Sequence, residues 1–211
     1  MKKALFLVGV LLFSVIAYAN TTYNNFNGYS DYWHPFGNPN TATYGELFTA
    51  PSTDLNLASF SFYMGSPYAA GNIVLGGYIA TWNGTNAGTL LYSSPAYNYD
   101  NLGNEQITFN TGGLALSPGG QYVAFLSVSQ YYGQSAGEAY VSQGTALNGL
   151  NGFGWYNNSG DFNSLFSCCW DNYGASPDWA VDMEFTPEPG TLMLLGTGIL
   201  GGIGVLRRKL F

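Results

Sequence analysis

Apolar residues between Glu46 and Phe185 recur at every second position in short runs, the period of a half-buried strand and not of a helix. Leu55 to Met64 sets Leu55, Leu57, Phe60, Phe62 and Met64 against Ser59, Ser61 and Tyr63. The phase slips between Leu57 and Phe60, which predicts a β-bulge or two short strands. Glu46-Leu47-Phe48-Thr49 reads as a strand stopped by Pro51. Ile73 to Trp82 and Tyr122 to Val128 are apolar on both faces, as expected of central strands in a sandwich. Asn83-Gly84 supplies a strong turn signal before a short strand at Thr89 to Tyr92. Gln106 to Asn110 alternates around Ile107 and Phe109 until Gly112-Gly113 breaks it. Ser117-Pro118-Gly119-Gly120 predicts a further turn. Trp179 to Phe185 closes the series, with Trp179, Val181, Met183 and Phe185 inward and Asp182 and Glu184 outward.

Residues 20–45 are rich in Asn, Tyr and Gly and show no period, so no element is predicted there. Residues 129–178 are irregular. About nine or ten strands with no long amphipathic helix predict an all-β fold, an antiparallel β-sandwich.

The two ends obey different rules. Met1 to Ala19 has Lys2-Lys3, an apolar stretch from Ala4 to Ile16 and an Ala17-Tyr18-Ala19 cleavage pattern, the features of a secretory signal helix leaving Asn20 as the new N-terminus. Residues 187–211 begin with Pro187-Glu188-Pro189-Gly190, an extended stop. An uncharged run from Thr191 to Leu206 follows, then Arg207-Arg208-Lys209, which should stay cytoplasmic. As a helix the sixteen residues span roughly 24 Å, short of a hydrocarbon core of roughly 30 Å. Gly198 and Gly202 form a small-xxx-small pair. The expected organisation is residues 1–19 as signal peptide, 20–186 as exported domain and 187–211 as a single-helix sorting or anchor segment.

Pro187-Glu188-Pro189, the Gly190-Thr191 step, the Gly-studded apolar run and the basic triplet together resemble the PEP-CTERM sorting signal of Gram-negative bacteria. The resemblance implies recognition of the tail by a membrane-embedded exosortase, removal of the helix and delivery from the inner membrane to the cell surface or exopolysaccharide matrix. A permanent C-terminal membrane anchor is the competing reading. The order of Phe48-Thr49-Ala50-Pro51, Phe60-Ser61-Phe62, Tyr78-Ile79-Ala80-x-Trp82 and Leu116-x-Pro118-Gly119-x-x-Tyr122 is similar to exported jelly-roll domains that carry this tail.

Charge narrows the function classes. The five basic residues are Lys2, Lys3, Arg207, Arg208 and Lys209, and the twelve acids lie between Asp31 and Glu188. The domain from residue 20 to 186 therefore has no Lys or Arg. Nucleic-acid binding, which depends on such residues at phosphates, is excluded. Salt bridges with Lys or Arg are excluded too.

Cys168 and Cys169 are adjacent. Outside the cytoplasm they can form a vicinal disulfide, stay as thiols or cross-link to another chain. No ligand set supports a metal centre with them. His34, the one histidine, reads as a packed or surface residue. No nucleophile–base or metallohydrolase motif is present, so no enzyme and no cofactor is expected. Asp161, Asp171, Asp178, Asp182 and Glu184 offer carboxylates for a glycoside hydrolase, a signal any acidic domain would give. Aromatics among Asn and Asp suit sugar faces and hydroxyls. They include Tyr131, Tyr132, Trp155, Tyr156, Trp170 and Tyr173, of which Trp155, Tyr156, Trp170 and Tyr173 are the candidate platform. Asn98, Asp100, Asn101, Asn104 and Glu105 form a hard-oxygen cluster suited to calcium but lacking the usual spacing. The expectation is a structural or adhesive surface protein. A carbohydrate-binding module and a secreted hydrolase stand as alternatives. The expected partners are the Sec machinery, the exosortase that the resemblance implies, the membrane before processing and, in the carbohydrate-binding alternative, a polysaccharide.

Overall fold

One long strand organises the domain. β4, Asn56–Trp82, runs 27 residues and belongs to two sheets. The computed structural model describes residues 20–29, 32–100, 103–168, 170–172 and 178–187, with Gly198. Thr21–Thr186 forms one compact unit. The expected signal helix and C-terminal helix lie outside the described residues. Among the described residues no helix is long and apolar enough to cross a membrane.

The first part of β4 lies between β7, Glu105–Ala115, and β13, Val181–Thr186. Phe62 faces Ile107 on one side and Val181 on the other. β1, Thr21–Asn24, pairs with β13 at the edge, with Thr21 opposite Phe185. β9, Ala136–Gly144, also pairs with β4, and it carries β2, Tyr32–Asn38, and β12, Asp178–Trp179. The last part of β4 enters a second sheet. There it meets β5, Ala87–Ser93, and β6, Tyr97–Tyr99, on one side and β8, Gln121–Ser127, on the other. The sheet continues through β3, Thr43–Thr49, and β10, Leu150–Tyr156, to β11, Asp171–Asn172. All of these pairings are antiparallel. Between the halves of β4 lies Gly65 to Gly71, a stretch with a proline, where the register against β9 shifts.

The faces of the two sheets share one core. Phe60, Phe62 and Met64 come from the first half of β4, and Ile73, Leu75 and Ile79 from the second. Val181, Met183, Phe185, Phe48 and Leu126 join them. The other face of the second sheet is buried as well. Leu47, Tyr78, Val123 and Phe125 pack beneath Leu165 and Trp170, which belong to and follow the 3-10 turn at Phe162–Phe166. This second layer is why Ile73–Trp82 and Tyr122–Val128 are apolar on both faces. Each fully buried large apolar side chain contributes roughly 1.5–3 kcal/mol. In a domain without Lys or Arg, that burial and the strand ladder are what hold the fold.

The phase slip has the expected cause. Ala58 is the residue skipped in the register of β4 against both β7 and β13. The strand opposite does not end at Gly112-Gly113, as its sequence predicts. Both glycines take positive φ, 75° and 90°, inside β7, and the register resumes at Leu114 opposite Leu57. The Thr111 hydroxyl reaches the carbonyls of Leu57 and Ala58 at this bulge, 3.2 Å from the latter. The unpatterned stretch 20–45 holds β1, β2 and the start of β3, none of which was expected. β1 is a four-residue edge strand, half-buried and exposed by turns. With Thr21, Thr22 and Asn24 among its four residues, it carries no apolar alternation to read.

Candidate functional site

The aromatic candidates divide between two layers. Trp155 and Tyr156 are successive residues of β10, so their side chains leave opposite faces. Trp155 packs at the margin of the main core, its ring 5.8 Å from that of Phe153. Tyr156 and Trp170 join the outer layer. Trp170 is only 6% exposed. Its ring lies over Gly45 and Gly154, where an added Cβ would come within 2.9 and 3.0 Å of the indole. Its Nε1 donates to the Leu165 carbonyl at 3.0 Å, and its ring meets Phe125 edge-on. This indole is a wedge in the protein interior, not an open platform. Tyr173 lies outside the described residues. Truncating Trp170 to Ala is expected to cost about 3–5 kcal/mol of stability with no sugar present. Urea unfolding measures it, and a loss below about 1 kcal/mol would return Trp170 to the set of free platform residues.

The oxygen-rich loop forms a surface depression. Tyr97, Asn98, Asp100, Gly103, Asn104 and Glu105 line an open hollow of about 390 Å³. The Tyr97 hydroxyl donates to Glu105. Desolvation, and then Glu105 as acceptor, push that phenol up to about 12. Asn101 lies outside the described residues. No group of three or more His, Cys, Asp or Glu suited to a metal ion occurs among the described residues.

The five acids considered for hydrolysis do not converge. Asp161 caps the 3-10 turn, accepting from Ser164 N at 3.2 Å. Asp171 is exposed on β11. Asp182 and Glu184 share the outward face of β13, and burial, with Glu184 nearby, raises Asp182 above its ordinary range. Only Asp178 meets a second carboxyl in the interior, and that partner is Glu46, a residue the sequence pattern assigned merely to a strand. Glu46 is fully buried and Asp178 is 1% exposed. Burial first, and then the Asp178 charge, push Glu46 well above the carboxylate range. Asp178 is also raised by burial, against two backbone donors that favour its ionised form. A warning was present in the sequence: Glu46 sits among Tyr44, Leu47 and Phe48 in a domain with no Lys or Arg to neutralise it.

Cys168 is disulfide-bonded. Cys169, the other half of the expected vicinal pair, lies outside the described residues. The side chain of His34 does as well, and so do Ala17, Ala19, Glu188, Pro189, Arg207, Arg208 and Lys209.

The edge formed by β1 and β13 gathers the two ends of the domain. β1 starts one residue after the expected new N-terminus Asn20, and β13 ends at Thr186, directly before Pro187. Phe185 is fully buried in the core. No curated protein matches the chain. Residues 185–209 match the PEP-CTERM protein-sorting motif, and the match begins within the last strand. The chain carries at its C-terminus the sorting signal of exported, exosortase-directed proteins.

Proposed function

We propose that this is an exported cell-surface or exopolysaccharide-matrix protein with a structural or adhesive role and no catalytic one. An N-terminal signal directs it to the Sec machinery and is removed after Ala19. Exosortase then recognises Pro187-Glu188-Pro189, the apolar run and Arg207-Arg208-Lys209, and releases the acidic domain from the inner membrane. The domain is a jelly-roll-like β-sandwich. The observation that carries this reading is the sorting motif over residues 185–209. The confinement of all five basic residues to the two ends supports it, because those ends are the parts expected to remain cytoplasmic.

The non-catalytic part rests on the carboxylates. The pair that meets is enclosed between strands and tied to backbone amides, while the open hollow presents Asp100 and Glu105 beside amides. A sugar platform built on Trp170 is disfavoured by that residue's burial.

Intact mass and cell fractionation test the sorting step, on the full chain and on a chain lacking residues 187–211. The full chain is expected to mature without Arg207-Arg208-Lys209 and to leave the inner membrane. The truncated chain is expected to be exported without surface retention. A mature protein that keeps the basic triplet would establish a permanent anchor instead.

A further inference from the structure

Glu46 occupies the core side of β3, in line with Tyr44 and Phe48. Its cross-strand neighbours are Ala124 on β8 and Phe153 on β10. Oε2 accepts from Trp179 N at 2.7 Å. Oε1 is buried, and no donor points at it. Beside it stands the carboxyl of Asp178. Asp178 Oδ1 accepts from Gly152 N at 3.0 Å and Oδ2 from Leu147 N at 3.3 Å. The remaining titratable groups on the core side of the adjoining strands are the phenols of Tyr44 on β3 and Tyr122 on β8. β10 adds Phe153 and Trp155, and β12 adds Trp179. β13 presents Val181 and Met183, and β9 presents Ala139 and Val141. None of these carries charge. No Lys or Arg exists between Lys3 and Arg207.

Two ionised carboxylates cannot share such a space, and one of them resolves the conflict by keeping a proton. The donors decide which. Asp178 has two backbone N–H groups that favour its anion. Glu46 has one, on Oε2 alone. We propose that Glu46 and Asp178 share one proton at neutral pH, carried on Glu46 Oε1 and donated to the Asp178 carboxylate. The pair is then a pH-sensitive latch. It fastens β3 to the start of β12 and, through Leu147 and Gly152, to the turn before β10 and the start of that strand.

The sign of the effect follows from where the proton resides. In the unfolded chain Glu46 ionises near its ordinary value of 4.5, whereas burial and the Asp178 charge hold it well above that in the fold. The stability that Glu46 contributes by holding its proton is fully present below the ordinary value. Above it, the folded chain holds a proton that the unfolded chain has lost, so the unfolding constant rises about tenfold per pH unit. The rise ends once pH passes the folded value and Glu46 ionises beside Asp178. Asp178, raised from its ordinary 3.8, works in the same direction at lower pH.

Urea unfolding of the full chain in detergent at pH 5, 6, 7 and 8 tests this, with wild type beside Glu46→Gln. Glutamine keeps the shape and donates an N–H to Asp178 but has no proton to lose. The wild-type unfolding constant is expected to climb about tenfold more per pH unit than that of Glu46→Gln. Infrared spectroscopy at pH 7 is expected to show a protonated carboxylic-acid carbonyl band that Glu46→Gln removes. Equal pH slopes in the two proteins, or no such band in the wild type, would overturn the proposal. Should Glu46→Gln not fold, the wild-type band decides: it must shift in Asp178→Asn, where the acceptor becomes an amide, and an unmoved band rejects the pair.

Discussion

Trp179→Ala is expected to remove about 3–5 kcal/mol of stability. Trp179 is fully buried, and its ring lies 4.7 Å from that of Tyr44 and 4.5 Å from that of Phe153. These partners come from β3 and β10, so the indole fills the space between the second sheet and the chain entering β13. Alanine would leave a cavity walled by two rigid rings that collapse poorly. A domain of this size has roughly 5–15 kcal/mol in total, so the variant stands near the edge of folding. One term opposes the loss. Trp179 Nε1 is buried without a hydrogen-bond partner, a burden of about 1–3 kcal/mol that truncation removes. Trp179→Phe keeps most of the apolar ring and deletes that N–H, so its loss is expected to stay below about 1.5 kcal/mol. Urea unfolding followed by near-ultraviolet circular dichroism separates the two. Equal losses for Ala and Phe would contradict a site governed by ring packing.

Gly37→Ala is expected to cost roughly 2–4 kcal/mol, combining backbone strain with overpacking. Gly37 has a φ of +135°, a conformation that side chains resist. It pairs with Glu138 across β2 and β9, and a Cβ there would collide with the carbonyl oxygen of Gly137. That oxygen belongs to the backbone, so no rotamer change relieves the clash and the strands must part. Thermal melting gives the magnitude, and amide exchange gives the place, with protection expected to fall first along β2 and β9. A neutral Gly37→Ala would contradict the register of this pair.

What the sequence reveals varies from strand to strand for physical reasons. β13 was legible in phase because one face meets the core and the other meets water, and that contrast writes itself as Val181, Met183 and Phe185 against Asp182 and Glu184. The slip between Leu57 and Phe60 was legible because a bulge changes which face a side chain takes. β1 and β2 were not. They line the margin of the first sheet, where β1 pairs with β13 and β2 with β9, and Asn, Tyr and Gly there give no alternation. Gly112 and Gly113 misled in the opposite direction. Paired glycines usually end a strand, but the ladder on either side is strong enough to carry β7 through a bulge. Trp170 misled by its neighbours. Asp171 and Asn172 follow it in sequence, while Phe125, Gly45 and Gly154 surround it in space.

The sequence by itself determined the sorting signal, the all-β character and the absence of Lys and Arg from the domain. A sorting signal is read as a linear string, strand period is a local property, and charge does not depend on folding. The tertiary structure alone decided which aromatics are buried and which acids meet. Glu46 and Asp178 come together only because β12 lies against β3 and β10, and strand pairing at that separation is set by the packing of the whole core. The carboxyl that most needs a partner in this domain therefore finds another acid, and a proton must stand where a cation would.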